Sequence, residues 1–206
     1  MSAHGVQEQA VDHEHDRRNE ERFTLILRAG LLEQSGRQSL CIVRNISSTG
    51  LQLRFYSEPT VDAAALLRIA DEPPIEGQLV WVRHDIAGMR FAHELDTAAL
   101  LRVRQKLSPI RRRSMPRVNV DALATLRSGG KTQRAGLCDI SSLGARVRTT
   151  SPLRIGDRAV IDVAGLPPLN AFVRWSGNEE AGLAFEAAIP MQLIARWVEG
   201  RELLAN

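Results

Sequence analysis

The chain repeats itself at a spacing of 94 residues, and this duplication constrains the fold more than any other feature. The segment NISSTG at 45–50 recurs as DISSLG at 139–144. Single residues recur at the same spacing: Trp81 and Trp175, Gly88 and Gly182, and Phe91 and Phe185. Because a pattern repeated in one order is not a product of composition, the sequence predicts two copies of one domain.

The length fits this interpretation, since 206 residues suffice for two domains of about 90 to 100 residues with a modest core each. We expect a disordered tail at 1–16, a first domain at 17–107, a linker at 108–110 and a second domain at 111–206. A composition of 44% apolar and 25% charged residues is typical of a soluble protein. Neither a membrane span nor a secretory signal is recognisable, so we expect a cytoplasmic location.

Short stretches of alternating polarity, separated by turn residues, predict six strands in each copy. They lie at 23–28, 39–45, 51–55, 66–70, 78–83 and 88–94, and then at 118–126, 134–139, 145–149, 158–163, 171–176 and 182–186. Each copy ends in helical periodicity, at 96–107 and 190–200, and Gly200 is expected to end the second helix. The predicted fold is mainly β: two tandem six-stranded antiparallel barrels, each followed by a C-terminal α-helix.

The remaining landmarks are expected to be structural. Core packing is predicted for four aromatic residues: Trp81, Phe91, Trp175 and Phe185. Cys41 and Cys138 are too few for a disulfide framework and lack metal-finger spacing, so each is expected to be a buried or half-buried thiol. The tract from His13 to His15 is not expected to hold a metal, and no cofactor is predicted.

Charge is concentrated in one segment, although the whole chain carries a formal charge of only +3. Between residues 101 and 117 there are seven basic residues and no acidic one, and RRRSMPR at 111–117 contains four arginines. Such a segment attracts phosphate, nucleic acid or an anionic membrane surface. The alternative is a solvated linker with no ligand.

The chemistry of a guanine nucleotide site is present twice in the same order. An arginine pair spaced by four residues, Arg113 and Arg117, can clamp phosphates with planar guanidinium groups. Asp139 can accept hydrogen bonds from a guanine edge, while Ser141 and amides near Gly144 can donate to phosphate. Taken alone, the Asp, Ser and Gly pattern is also what a tight turn favours.

Both copies resemble the PilZ domain family. The resemblance rests on RSMPR at 113–117 with DISSLG in the second copy, and on RNEER at 18–22 with NISSTG in the first. It implies barrels that bind cyclic di-GMP, and a receptor that acts on a downstream protein in motility, polysaccharide export or surface attachment. The implied ligand residues are Arg112, Arg113, Arg117, Asp139, Ser141 and Gly144 in the second domain, and Arg18, Arg22, Asn45, Ser47 and Gly50 in the first.

The two implied sites differ in charge. Glu20 and Glu21 lie between the arginines of the first motif, and Asn45 stands where the second copy has Asp139. No carboxylate lies between Arg113 and Arg117, so we expect a bound anion there to face positive charge alone. The second domain is therefore the favoured site. In family terms, Arg112 also makes a homodimer around intercalated ligand plausible.

Other functions are less favoured by the sequence. No catalytic triad, cysteine–histidine pair, phosphate-binding loop or metal signature is recognisable, so an enzyme is not predicted. Nucleic-acid binding is disfavoured, because one tyrosine and few other aromatic residues leave little for base stacking. The alternative to a receptor is a degenerate interaction module of the same fold that binds no nucleotide.

Overall fold

The structure is a computed structural model that describes residues 23–56, 59, 61, 64–69, 72–96, 115–177 and 179–205, with backbone alone at 23–27 and 202–205. The first six strands are β1 (Phe23–Gln34), β2 (Arg37–Ile46), β3 (Gly50–Phe55), β4 (Ala64–Ile69), β5 (Ile75–Arg83) and β6 (Ile86–Phe91). The next six are β7 (Val118–Ser128), β8 (Lys131–Ser141), β9 (Gly144–Thr149), β10 (Arg158–Val163), β11 (Leu169–Ser176) and β12 (Glu180–Phe185). One helix, α1 (Met191–Ala205), follows them.

The twelve strands form two closed barrels with the same strand order. The first barrel runs β1-β2-β3-β6-β5-β4 and the second β7-β8-β9-β12-β11-β10, and every neighbouring pair is antiparallel. Closure comes from pairing of β1 with β4 and of β7 with β10, which leaves no open sheet edge. The predicted fold of two six-stranded antiparallel barrels, the second followed by a helix, is confirmed.

Alternating polarity explains why these segments become strands around a core. In β4 and in β10, every second residue is buried, so one face of each strand is apolar and the other is solvated. The largest fully buried side chains include Leu53, Leu67 and Leu79 in the first barrel and Leu126, Leu137 and Ile161 in the second. Each barrel therefore fills its own interior with branched aliphatic side chains.

Each barrel is interrupted by β-bulges at matching positions. In β2 and β8 the register shifts between Val43 and Asn45 and between Leu137 and Asp139, and in β5 and β11 it shifts just before a tryptophan. A bulge adds one residue to one strand only, so the side chains that follow change face. As a result, Asn45 and Asp139 point to the outside of their barrels.

The predicted core packing of the two tryptophans is wrong for the same reason. Trp81 and Trp175 are 38% and 44% exposed on the outer faces of β5 and β11. Two residues before each tryptophan, Leu79 and Val173 are fully buried, so uninterrupted alternation would have turned both indoles inward. The prediction for the phenylalanines holds better, since Phe91 is buried and Phe185 packs against the second core while partly buried.

Two hairpins are longer than predicted. Strands β1 and β2 pair as far as the turn at Ser35 and Gly36, and β7 and β8 pair as far as Gly129 and Gly130. All four turn residues have positive φ values, between +48° and +78°, which suits the tight turns that connect twisted strands. The residues added to β1 include two adjacent apolar side chains, Leu31 and Leu32, which are buried in different cores and so do not alternate with polar residues. The residues added beside the turns in the other three strands are polar.

The prediction that Gly200 ends the last helix is also wrong, because α1 continues to Ala205. The next residue anchors this extension: the Arg201 guanidinium lies 5.2 Å from the centre of the Trp197 ring, one turn earlier. Its Nη2 also donates to the Asp121 carbonyl at 2.6 Å. These contacts hold the helix against the second barrel beyond a residue that would otherwise favour termination.

The first barrel contacts the second through its first hairpin. Leu31 and Leu40, although they belong to β1 and β2, are buried in the apolar cluster of the second barrel. Beside them, the backbone N–H of Asn119 donates to Gln38 Oε1 at 2.9 Å. Helix α1 contacts both β2 and β8, so it packs against strands of both barrels.

Several predicted segments lie outside the described residues. They are the tail at 1–16, the linker at 108–110 and the helix predicted at 96–107 apart from Asp96, which is coil. Among the residues that are described, no helix combines the length and apolarity needed to cross a membrane.

Two glycine substitutions test the extent of α1. We predict that Gly200→Ala stabilises the protein by about 0.5 to 1 kcal/mol, because alanine is favoured in a helix interior and the new methyl group meets no atom within 4 Å. Gly130→Ala is the matched control. It also meets no atom within 4 Å, but its φ of +74° disfavours alanine, so we expect a loss of about 1 kcal/mol. Urea unfolding measures both; a destabilised Gly200→Ala variant would place the helix end at Gly200.

Candidate functional site

The serine and glycine of each repeated turn close the hairpin in which they lie. Ser141 Oγ donates to the Gly144 carbonyl at 3.2 Å, and Ser47 Oγ does the same to the Gly50 carbonyl. A methyl group at Gly144 would overlap the Leu183 carbonyl oxygen of the adjacent strand. Both residues therefore have a structural role in the turn and in the approach of β12.

Asp139 does not cap this turn, because its carboxylate binds two arginines instead. Arg117 Nη1 donates to Asp139 Oδ1 at 2.6 Å, and Arg146 Nε donates to Asp139 Oδ2 at 2.8 Å. Asp139 is only 6% exposed, whereas both guanidinium groups reach solvent. A nearly buried carboxylate with one guanidinium on each oxygen is well compensated, and it fixes the start of β7 beside β8 and β9.

Arg146 extends this network to a second carboxylate. Its Nη1 lies 3.1 Å from both oxygens of Glu180 on β12. The side-chain hydrogen bond to Asp139, followed by the one to Glu180, raises the pKa of Arg146 above its ordinary value. Among the described residues of this site, two guanidinium groups and two carboxylates are thus joined in one chain of ion pairs.

A row of four residues crosses the outer face of the second barrel. Asp139 pairs with Arg146, Arg146 with Gly182, and Gly182 with Trp175, on four neighbouring strands. We call these four residues the second-barrel row. A methyl group at Gly182 would overlap three atoms of the Trp175 indole, so the ring lies directly on this glycine. The row therefore brings a carboxylate, a guanidinium and an exposed aromatic ring onto one surface.

The first barrel has a row of the same geometry but without charge. It consists of Asn45, Gln52, Gly88 and Trp81, and we call it the first-barrel row. Asn45 Nδ2 donates to Gln52 Oε1 at 2.9 Å, so an amide pair replaces the Asp139–Arg146 ion pair. The four residues line a cavity of about 220 Å³, which Arg90 also lines. The two rows thus share their strand pairing but differ in charge.

The structure brings some of the predicted site residues together and leaves others undescribed. Arg117 and Asp139 are in direct contact, and Asp139 lies two residues before Ser141 in the same strand. The remaining arginines of the two motifs, Arg18, Arg22, Arg112 and Arg113, lie outside the described residues. Asp139 and Glu180 pair with Arg117 and Arg146, so carboxylates also lie on this surface. The expectation that a bound anion meets positive charge alone stays a prediction, because Arg113 lies outside the described residues.

Sequence reasoning missed Arg146, Glu180 and Trp175 as members of this surface. Arg146 was recognisable as an outward residue next to Ala145 and Val147, which are both fully buried. Glu180 and Trp175 were not recognisable, since their proximity depends on barrel closure and on the bulge in β11.

Cys41 is buried and Cys138 half-buried, and both are free thiols, as predicted. Burial raises the pKa of Cys41, so this thiol is poorly reactive. Within the described part of the chain, no group of three or more histidine, cysteine or acidic residues could hold a metal ion.

Comparison with known proteins gives a family match. A family model of the PilZ domain matches residues 16–108 and 111–200. No curated protein matches the chain.

Similar solved structures have low sequence identity. They include YcgR from Escherichia coli in complex with c-di-GMP, at 16% identity, a TM-score of 0.35, and coverage of 86% of this chain and 85% of that one. The Bacillus subtilis inhibitor of motility (MotI/DgrA) gives 15% identity, a TM-score of 0.34, and coverage of 87% and 98%. The PlzA protein of Borreliella burgdorferi in complex with c-di-GMP gives 13%, 0.34, and coverage of 83% and 87%.

The position of the Trp175 ring on Gly182 can be tested by a double-mutant cycle. We predict that Gly182→Ala destabilises the protein by about 1 to 3 kcal/mol, because the methyl group must displace the indole. In a Trp175→Ala background the same change should cost much less, giving a coupling energy of about 1 kcal/mol or more in urea unfolding. Purely additive effects would show that the indole does not lie on this glycine.

Proposed function

Because the chain belongs to the PilZ domain family, we propose that it is a non-enzymatic receptor for cyclic di-GMP, with its favoured site on the second barrel. The observation that carries this proposal is the meeting of Arg117 with the second-barrel row. Guanidinium, carboxylate and indole groups are the three chemistries that a ligand with two phosphates and two guanines requires. The matching row on the first barrel supports a common origin for two sites of unequal affinity.

Each group has a role that follows from its chemistry. The Arg117 guanidinium is half-exposed and can bind a phosphate through charge-assisted hydrogen bonds. The Asp139 carboxylate can accept hydrogen bonds from two neighbouring N–H donors, which guanine offers and adenine does not. Trp175 offers an exposed face on which a base can stack.

Ligand binding on this surface is an exchange of partners. Both oxygens of Asp139 already accept from guanidinium groups, at 2.6 and 2.8 Å. A phosphate that takes Arg117 frees Asp139 Oδ1 for a guanine, so one charge-assisted contact is replaced by two. Arg146 can remain on Asp139 Oδ2 and keep the carboxylate compensated during the exchange.

The self-satisfied network also supports the alternative function. Asp139 and Glu180 are both compensated by guanidinium groups of the chain itself, so the second site needs no nucleotide to balance their charge. A degenerate module that acts through protein contacts is therefore the second candidate. Titration with cyclic di-GMP, with GTP and a short DNA duplex as comparison ligands, separates receptor, degenerate module and nucleic-acid binder. A receptor should respond to cyclic di-GMP at about 100 μM or below, which corresponds to about −5.5 kcal/mol.

The ranking of the two sites remains part of this proposal. The first-barrel row has no carboxylate for guanine, and Glu20 and Glu21 lie within its arginine motif. Arg90 on β6 does add one cation to the lining of the first cavity. The second barrel has Ala184 at the matching position. The stoichiometry of the same titration, repeated with site variants of each barrel, tests whether the second site binds first.

Removing the Arg117 guanidinium should weaken cyclic di-GMP binding about tenfold to a hundredfold, because a charge-assisted contact worth about 1.5 to 3 kcal/mol is lost. The fold should persist, since Asp139 keeps its bond to Arg146. Arg158→Ala is the control: it removes an exposed arginine from β10 of the same barrel. Isothermal titration measures the affinity of Arg117→Ala and Arg158→Ala for cyclic di-GMP. A folded Arg117→Ala protein with unchanged affinity would contradict the phosphate-binding role.

Asp139→Asn should reduce both affinity and base discrimination. The amide keeps the shape of the carboxylate, as Asn45 does in the first barrel, but one of its two groups donates instead of accepting. We therefore expect the preference for cyclic di-GMP over cyclic di-AMP to fall by about tenfold or more. The melting temperature must be measured alongside affinity, because the guanidinium groups of Arg117 and Arg146 lose the negative charge of residue 139. Asp162→Asn, on an exposed position of β10, controls for the charge change. An unchanged preference in Asp139→Asn would remove Asp139 from base recognition.

A further inference from the structure

Glu180 holds the arginine in the middle of the second-barrel row. It lies on the outer face of β12, opposite Arg148 of β9, and both of its carboxylate oxygens are 3.1 Å from Arg146 Nη1. Cys138 on β8 is a further neighbour, with its Sγ 4.0 Å from Glu180 Oε1. The Glu180 side chain is 36% exposed, so it faces the surface that an approaching ligand must cover.

The charges of the four ion-paired residues cancel. Arg117 and Arg146 are each paired with Asp139, and Arg146 is paired again with Glu180. The two guanidinium groups are therefore matched by two carboxylates within this cluster of four residues. Arg146 in particular is held on both sides by carboxylates, which is why the hydrogen bonds raise its pKa.

The first barrel shows that the row does not need this carboxylate for its structure. At the positions matching Arg146 and Glu180, it has Gln52 and Ile86. The same cross-strand pairings form there with the uncharged Ile86 at the position of Glu180. A structural requirement of the barrel therefore does not explain Glu180.

We propose that Glu180 is an affinity-setting residue of the second site, which lowers affinity by competing with the ligand phosphates for Arg146. This inference rests on the proposed function. When Glu180 is present, a phosphate that approaches Arg146 Nη1 competes with a carboxylate that is already bound there, and it must also tolerate that carboxylate nearby. When the charge of Glu180 is absent, Arg146 keeps its position through Asp139 and its Nη1 is available to phosphate.

Glu180→Gln in the full chain tests the proposal, because it keeps the size of the side chain and removes its charge. We expect Glu180→Gln to bind cyclic di-GMP about threefold to tenfold more tightly than wild type does, with a larger gain at low ionic strength. Glu186→Gln is the matched control, since it removes the same charge from the residue just after β12 and breaks an ion pair with Arg158 instead. It should leave affinity unchanged.

A second comparison separates competition from general electrostatics. In an Arg146→Ala background, Glu180→Gln should bring no gain in affinity, because the contested guanidinium is absent. A gain of equal size in that background would overturn the proposal. If wild type binds cyclic di-GMP and Glu180→Gln binds it equally or more weakly, the proposal is also overturned, while the receptor function stands. If neither protein bound cyclic di-GMP at about 100 μM, both the receptor function and the role of Glu180 would fall.

Discussion

The bulges in β2, β5, β8 and β11 are the constraint on which both the barrels and the candidate sites depend. A six-stranded sheet closes only if its strands bend strongly, and an extra residue in one strand increases the local bend and twist. Uninterrupted alternation would place Asp139 and Trp175 in the core, and the same insertions turn both side chains to the outer face. The same kind of backbone irregularity therefore accounts both for barrel closure and for the position of the site residues on the outer face.

Once the backbone is fixed in this way, the two barrels differ mainly in the charge that they place on a shared frame. The glycines that receive the indoles, Gly88 and Gly182, have the same function in both. Between them and the turn, one barrel has the amide pair of Asn45 and Gln52, and the other has the ion pair of Asp139 and Arg146. In the second barrel each member of the pair also has a further partner, since Asp139 binds Arg117 and Arg146 binds Glu180.

The sequence predicted the repeat, the fold class and most strand positions, because these depend on periodicity and on turn residues. It could not place Trp81 and Trp175, since a bulge leaves no mark on the pattern of apolar residues until the strand pairing is known. The missed role of Glu180 has a different cause, because its contact with Arg146 spans 34 residues and depends on barrel closure. The continuation of α1 through Gly200 depends on the contact of Arg201 with Asp121, which is also distant in sequence.

The segment that follows Arg117 joins the candidate site to the contact between the barrels. Arg117 binds Asp139 on the second barrel, and two residues later the Asn119 amide donates to Gln38 of the first barrel. Leu31 and Leu40 complete this contact from the first barrel within the apolar cluster of the second. Since the chain between Arg117 and Asn119 is only one residue long, the position of the guanidinium is limited by the second barrel on one side and by the first on the other. The first barrel thus binds the backbone two residues after Arg117, and none of its described side chains belongs to the ion-pair network.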